Sequence, residues 1–285
     1  MQAWILANEP LVRLGAFAGV LAAMMAAEAL APRRTRAVSR WARWPANLGI
    51  VALNSLLARL VFPTAAVGLA LLIEARGGGG LLGLLDLPFW LAVVVSVAVL
   101  DFAIYLQHVM FHAVPALWRL HRMHHADLDF DVTTGARFHP VEILLSMGIK
   151  LGVVFALGAP ALAVLLFEVL LNATAMFNHG NLRLPPGLDQ ALRWVLVTPD
   201  MHRVHHSVVP REANSNFGFN LPWWDRVLGT YRAQPAAGHD AMTIGLDRFR
   251  DPRELRLDRM LLQPLRHGTG AYPVGGEPPP PENRK

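Results

Sequence analysis

Histidines concentrate in two short stretches of the chain. Five of the twelve histidines lie in residues 101–125, and three more lie in residues 202–206. Neutral imidazole is the commonest metal ligand in proteins, and residues four apart lie on the same face of a helix. The spacing is HxxxH once and HxxHH twice. It predicts that helices present a metal site formed by His108, His112, His121, His124, His125, His202, His205 and His206.

The HxxHH spacing suits a site with more than one metal ion. Its first and last histidines share a helix face, whereas the middle one is rotated by about 100°. One such helix can therefore contribute ligands to two neighbouring ions. The alternative is a set of structural or surface histidines. Because so many buried imidazoles without a metal would need costly polar partners, we favour a polynuclear metal site.

The composition indicates a membrane protein. The chain has 285 residues, of which 53% are hydrophobic and only 16% charged, whereas soluble domains carry about 25% charged residues. There is no cysteine, which excludes disulfides, cysteine-bound iron–sulfur clusters and thiol catalysis from this chain. The net charge of +5 comes mostly from arginines beside apolar segments. We interpret it as a topology signal and expect no nucleic-acid partner.

The apolar segments predict an all-α membrane protein with about four transmembrane helices, the last pair forming a hairpin. The segments are residues 11–30, 48–73 and 87–107, followed by the pair 143–158 and 161–177. The first is not a signal peptide, because its basic residues follow the apolar run instead of preceding it.

The side of the membrane follows from the charges. The arginines in residues 33–43 mark the cytoplasmic side, because short cytoplasmic loops are rich in Lys and Arg. Counting spans from this loop places the N-terminus outside and every histidine stretch on the cytoplasmic side, in a helical cap. The chain is thus predicted to be a multi-pass membrane protein with its site facing the cytoplasm.

Other polar residues lie outside the histidine pattern. Asp101 shares a helix face with His108 within an apolar span, and we expect it to accept the free N–H of a ligand histidine on a neighbouring helix; a helix cap or an arginine partner is the alternative. Arg59 should face the helix bundle or a substrate cavity. His239 and His267 are expected at the surface. The aromatic segment 214–232 either caps the metal site or packs as a turn over the last helix.

Five stretches together resemble a known family. They are DFAIYLQHVMFH, LWRLHRMHHADLDFDVTTGARFHPVE, FNHGNL, TPDMHRVHHS and NFGFNLPWWDRVLGTY. In order and spacing they resemble the fatty acid hydroxylase / sterol desaturase superfamily of membrane di-metal oxygenases. The resemblance suggests three parts: N-terminal transmembrane helices in residues 1–86, a catalytic domain in residues 87–235, and a C-terminal extension in residues 236–285 that ends in a disordered Pro-rich tail.

The resemblance implies a chemistry as well as a fold. It implies two iron ions that use dioxygen to hydroxylate or desaturate a lipid. A separate reductase, ferredoxin or cytochrome would supply electrons, because no dinucleotide motif follows a predicted strand and no cysteine is available for a cluster. A zinc-dependent hydrolase or a metal carrier is the non-redox alternative, although a zinc hydrolase usually needs only three ligands. Sterols, fatty acyl chains, alkylglycerol ethers and carotenoids all remain open as substrates.

The resemblance also implies a ligand set. Relatives often have a further histidine one turn before His179, where this chain has Ala175. His139 and Asn178 are candidates for this tenth position, and Asp101 and Asn178 are candidates to support the ligands by hydrogen bonds. The implied metal ligands are His108, His112, His121, His124, His125, His139, His179, His202, His205 and His206.

Overall fold

The computed structural model describes residues 1–85, 87–266 and 268–274. His267 and the predicted disordered tail from residue 275 onward therefore lie outside the described residues. Within these ranges the chain is helical, and no β-strand is present. Short 3₁₀ helices occur at Thr134–Ala136, Pro252–Leu255 and Gln263–Leu265. The α-helices are α1 Gln2–Ala7, α2 Glu9–Leu30, α3 Arg40–Val61, α4 Ala65–Ala75, α5 Gly80–Gly83, α6 Phe89–Ala113, α7 Pro115–His125, α8 Pro140–Leu157, α9 Ala161–Asn178, α10 Pro186–Leu192, α11 Pro199–His205, α12 Pro210–Ala213, α13 Trp223–Val227, α14 Gly238–Ala241 and α15 Leu257–Leu262.

The predicted all-α membrane class is confirmed. The described part of the chain contains five segments that are long and apolar enough to cross a membrane. They are α2, the segment Arg40–Gly83, α6, α8 and α9. The sequence predicted about four. The predicted span at 48–73 is divided, because α3 ends at Val61 and α4 begins at Ala65. Pro63 lies in the break, where it cannot continue the helical hydrogen bonds.

The predicted hairpin is formed by α8 and α9. Gly158 follows α8 with φ 67°, a left-handed conformation that glycine adopts without a steric penalty. Pro160 then precedes the first residue of α9. A Cβ atom on Gly158 would clash with the backbone carbonyl of Gly79. The hairpin turn is therefore packed closely against the glycine-rich loop before α5.

The helices pack so that several of their ends meet. α9 packs against α2, α4 and α6, and α8 packs against α3, α4 and α6. Small residues such as Ala66 and Ala161 are fully buried in the apolar core between them. α7 turns back against α6 after Pro115, at the first helical position, where proline is well tolerated. The ends of α6 and α9 thus meet α7 and α11.

A buried ion-pair network holds the chain after α7. Arg43, fully buried in α3, donates hydrogen bonds to Asp127 Oδ1 at 2.7 Å and to Asp131 Oδ2 at 2.6 Å. Burial would raise the pKa of Asp127, but the nearby Arg43 guanidinium outweighs it and holds the pKa at about 2. At least one arginine of the basic cluster therefore has a structural role, since it fixes the segment that follows the α7 histidines.

Candidate metal centre

Nine histidines converge in two buried groups. We call them the first group and the second group. The first group is His108, His112, His121, His125 and His205, and the second group is His124, His179, His202 and His206. In each group one nitrogen from every ring lies within 4.8 Å of the others. All nine rings are buried. The structure therefore brings together every sequence-predicted histidine except His139.

The division between the groups follows the helical spacing. In α7, His121 and His125 belong to the first group, whereas His124 belongs to the second. α11 and its C-cap show the converse arrangement, because His202 and His206 join the second group and His205 the first. Each HxxHH stretch therefore contributes to both groups. The HxxxH pair on α6 completes the first group, and His179, which caps α9, completes the second.

Hydrogen bonds to carbonyl groups fix the protonation of three rings. His108 Nδ1 lies 2.7 Å from Phe217 O, His179 Nδ1 lies 2.7 Å from Ala175 O, and His205 Nδ1 lies 2.7 Å from Ser215 O. A carbonyl oxygen can only accept, so Nδ1 must carry the hydrogen and donate it. In the neutral rings Nε2 is therefore left as a lone pair directed into the group.

The rings are neutral because they are buried. Burial lowers the pKa of His121 and of His179 to about 3. Burial, together with neighbouring imidazoles, also lowers the pKa of His205 and His206 well below the usual value. Neutral imidazole is the form that binds metal ions.

Hydrogen bonds among the Nε2 atoms cannot satisfy all the rings of the second group. His179 Nε2 lies 3.2, 3.1 and 3.2 Å from the Nε2 atoms of His124, His202 and His206. A single lone pair cannot accept from three rings. Two imidazole nitrogens bound to one ion at about 2.1 Å and at a right angle would be about 3.0 Å apart. The second group therefore fits a cation.

The first group also fits a cation. His108 Nε2 lies 3.1 Å from His121 Nε2, and His112 Nε2 lies 3.1 Å from His125 Nε2. His205 Nε2 is buried and has no hydrogen-bond partner in the part of the chain that the structure describes. An orphaned buried lone pair is unfavourable unless a cation takes it.

Residues from elsewhere in the chain orient the rings. His121 Nδ1 lies 2.7 Å from Glu142 Oε1, and His112 Nδ1 lies 3.0 Å from Asn214 Oδ1. Ser215 O and Phe217 O accept from His205 and His108, as described above. The short segment 214–217 therefore supports three rings of the first group. Such partners fix ring orientation and raise ligand basicity. Sequence reasoning assigned no role to Glu142. The sequence predicted a cap at 214–232 as one of two options, and the structure places residues 214–217 of this segment against the rings.

Asp101 does not have the partner that the sequence predicted. Its carboxylate accepts from Asn220 Nδ2 at 2.7 Å, Trp224 Nε1 at 2.7 Å and Leu221 N at 3.3 Å, and no histidine among the described residues contacts it. The prediction of a histidine partner was wrong because the segment 217–224 lies against this part of α6. Asn178 holds the same segment, since its Nδ2 donates to Phe219 O at 3.0 Å.

His139 lies outside both groups. Its Nδ1 accepts a hydrogen bond from Val141 N at 3.2 Å and caps α8, while its Nε2 lies 3.3 Å from Leu261 O. The described residues therefore provide nine histidines to the two groups and no tenth. His239 was expected at the surface but is buried, with Nε2 3.7 Å from Asp200 Oδ2. It packs there because α14 covers the start of α11.

A cavity of about 300 Å³ adjoins the first group. It is bounded by α3, α6, α8 and α9, and His108 and His121 are part of its wall. One face of α8 lines it from Glu142 to Lys150, a distance of about 12 Å along the helix axis. Most of the remaining lining is apolar. The metal centre therefore has an elongated, largely apolar chamber beside it, within the membrane-spanning bundle.

Comparisons with known proteins place this arrangement in a family. Residues 93–230 match the fatty acid hydroxylase family, and this segment, which contains all nine histidines, belongs to the fatty acid hydroxylase superfamily. The chain is 32% identical over 148 residues to ornithine lipid hydroxylase OlsE of Rhizobium tropici, covering 52% of this chain and 44% of that protein. It is 30% identical over 167 residues to alkylglycerol monooxygenase of Xenopus tropicalis, covering 57% and 35%.

A third relative is also named as a hydroxylase. The fatty acid hydroxylase vlmA of Lecanicillium sp is 30% identical over 155 residues, covering 50% of this chain and 42% of that protein. The chain thus spans less than half of the length of each of these relatives. No solved structure matches it significantly.

Proposed function

We propose that this protein is a membrane-bound di-iron oxygenase that hydroxylates or desaturates a lipid with dioxygen and external electrons. The observation that carries the proposal is the pair of buried histidine groups whose Nε2 atoms face each other at 3.1–3.2 Å. The relatives named as lipid hydroxylases and monooxygenases support it. They give no support to the non-redox alternative, a zinc-dependent hydrolase or metal carrier.

Each histidine group would hold one ion. Imidazole suits iron as well as zinc, and iron would supply redox chemistry with dioxygen that oxidises an unactivated C–H bond. The protein's own contribution is to orient the nine rings, to exclude water with the apolar spans and to hold the lipid in the cavity beside His108 and His121. We propose residues 87–235 as the catalytic unit, with the preceding helices forming part of the cavity wall.

We propose that the site faces the cytoplasm. The arginine-rich loop after α2 and the chain after His179 lie at the same end of the bundle, because Arg34 N donates to Asn181 Oδ1 at 3.0 Å and Pro32 forms a β-bridge with Leu182. Clustered arginines favour the cytoplasmic side. A separate reductase, ferredoxin or cytochrome would deliver electrons there.

The proposal is tested by metal analysis and product analysis together. Purified protein in nanodiscs should contain about two iron ions per chain, and cells that express it should contain an oxidised lipid that is missing without it. His205→Ala should lose metal and product. His139→Asn is the matched control, because asparagine preserves a helix cap and the residue lies outside both groups. Full metal content and product in His205→Ala would overturn the proposal.

A further inference from the structure

The last described residues of the chain lie beside the first group. Residues 268–274, which we call the C-terminal strap, lie beyond the segment 93–230 that matches the family. Gly268 O accepts hydrogen bonds from Arg122 Nη1 and Arg248 Nη1, each at 2.8 Å. Arg122 belongs to α7. The strap is therefore tied at its start to the helix that carries three of the nine histidines.

Tyr272 anchors the middle of the strap. It is 1% exposed, and its ring stacks on Trp118 with 5.6 Å between ring centroids and 16° between the planes. Its hydroxyl donates to Val208 O and accepts from Asp247 N, both at 2.9 Å. Trp118 in turn lies against His112, with 4.8 Å between ring centroids. Only the Trp118 ring therefore separates the Tyr272 ring from a ring of the first group.

Two backbone groups of the strap hold His112 as well. Val274 N donates to His112 O at 2.9 Å. This carbonyl lies in the last turn of α6, where carbonyl groups have no partner within the helix. Tyr272 O accepts from Asn214 Nδ2 at 2.7 Å, and Asn214 Oδ1 lies 3.0 Å from His112 Nδ1. The strap therefore contacts the backbone of His112 directly and reaches its ring by way of Asn214.

The contact with Tyr272 O fixes which way the Asn214 amide points. A carbonyl oxygen can only accept, so the amide nitrogen must face it and the amide oxygen must face His112. His112 then carries its hydrogen on Nδ1 and keeps a lone pair on Nε2, which lies 3.1 Å from His125 Nε2. A reversed amide would donate to Nδ1 and leave the hydrogen on Nε2, the atom that must bind the ion.

We propose that the C-terminal strap is a positioning element of the metal centre. Through Tyr272 it holds the Asn214 amide in the one orientation that leaves His112 Nε2 available to a cation. Tyr272 and Asn214 act through His112, so they are positioning residues. The inference rests on the metal site of the proposed function, and it adds that residues outside the family segment help to set how tightly the first group binds its ion.

The expected effect concerns one ligand of five. Loss of the hydrogen-bond partner of a ligand imidazole typically lowers metal affinity by about 10–100-fold. Four other rings remain in the first group, so we expect a loss of about tenfold, the lower end of this range, when the strap is released. In the second group, His179 Nδ1 is held by Ala175 O within α9. The affinity of the second group should therefore stay at the wild-type value.

Chelator competition with Zn²⁺ on the full chain in nanodiscs measures this effect. Imidazole suits zinc as well as iron, and the result does not depend on redox chemistry. Tyr272→Ala removes the anchoring ring and hydroxyl, so one of the two Zn²⁺ ions should bind about tenfold more weakly than in wild type. Phe167→Ala is the matched control, because it removes a buried aromatic ring from the apolar core. It should lower the unfolding temperature and leave both affinities unchanged.

Asn214→Asp distinguishes positioning from a loss of packing. A carboxylate offers His112 an acceptor in either orientation, so it does not need the strap to orient it. In the Asn214→Asp background, Tyr272→Ala should therefore change the affinity by less than about twofold, the usual error of additivity. Asn214→Asp alone sets the baseline, so the effect of the added charge cancels. An equal loss of affinity in both backgrounds would overturn the proposal.

Tyr272→Phe provides the same test if Tyr272→Ala does not fold. It keeps the ring that stacks on Trp118 and removes only the two hydrogen bonds of the hydroxyl. The looser strap should lower the affinity for one Zn²⁺ ion by about threefold, within the range of a neutral hydrogen bond. No loss is expected in the Asn214→Asp background. Wild-type affinity in Tyr272→Phe would then refute the positioning role.

Lipid oxidation separates this proposal from the oxygenase. If the iron-loaded protein oxidises a lipid but the effect of Tyr272→Ala on Zn²⁺ binding is the same with and without Asn214→Asp, the positioning role fails and the oxygenase stands. If the effect depends on Asn214 in a protein that oxidises no lipid with iron and a reductase, the oxygenase fails and the positioning role stands.

Discussion

Replacing Glu142 tests how the protein supports its metal ligands. Glu142 Oε1 lies 2.7 Å from His121 Nδ1, and both side chains are buried. Glu142→Leu removes this acceptor, whereas Glu142→Gln keeps a neutral one. We expect both variants to insert in the membrane, because leucine and glutamine are less costly at this depth than a carboxylate.

The expected loss is confined to one ion. Removing the partner of a ligand imidazole typically lowers metal affinity by about 10–100-fold, which is about 1.4–2.7 kcal/mol. Asn214, Ser215 and Phe217 still hold three other rings of the first group. We therefore expect Glu142→Leu to lower the metal affinity by about tenfold, the lower end of this range, and Glu142→Gln to lower it by less. Glu142 contacts no ring of the second group among the described residues, and the ion there should bind as in wild type.

Chelator competition with metal analysis measures this effect. As chelator is added, Glu142→Leu should pass through a state with one ion per chain at about a tenth of the chelator concentration that wild type needs. Glu168→Gln is the control, because Glu168 is another buried carboxylate whose contacts are Arg13 and Lys150 and not the histidines. Unchanged affinity in Glu142→Leu, or equal weakening of both ions, would refute the reasoning.

Three further predictions concern stability and topology. Asp101→Leu leaves one buried donor and two partly buried donors unpaired, and the buried one alone costs about 1–3 kcal/mol. The unfolding temperature of the metal-free protein should therefore fall while activity per bound ion stays near wild type. Reduced activity per ion at normal stability would contradict this anchoring role. Gly158→Ala should lower the unfolding temperature, because the left-handed conformation alone costs about 1–2 kcal/mol and the added Cβ meets Gly79 O. Gly152→Ala, in open space on the same helix, should be neutral or stabilising. Equal effects of the two substitutions would contradict the prediction. Reporter fusions after residue 45 and near residue 78 should give opposite signals, with the first cytoplasmic, and matching signals would disprove the topology.

The grouping of the histidines could be predicted from the sequence because it depends on the spacing of residues within one helix. Residues four apart on one helix share a face, so the spacing alone places His121 with His125 and His202 with His206. The hairpin was accessible for a similar reason, since Gly158 and Pro160 interrupt an apolar run. These features depend on a few neighbouring residues and on no contact between distant parts of the chain.

The residues that orient the rings could not be found in this way. Phe217 and Asn214 lie more than 100 positions from His108 and His112, and no local pattern pairs a backbone carbonyl with a distant ring. The same limit explains the error at Asp101. A buried carboxylate in a span must have partners, but whether they are imidazole, indole or amide groups depends on which segment packs against α6.

The two histidine groups are interleaved along the chain, and this has a consequence for biogenesis. The first group opens with His108 and ends with His205, while the second opens with His124 and ends with His206. Neither set is complete until α11 has been synthesised and has folded against α6 and α7. Because metal binding to such a site is coupled to its folding, ion loading is expected to follow membrane insertion of all the spans. The order of synthesis is therefore expected to keep a half-built metal site from forming on the nascent chain.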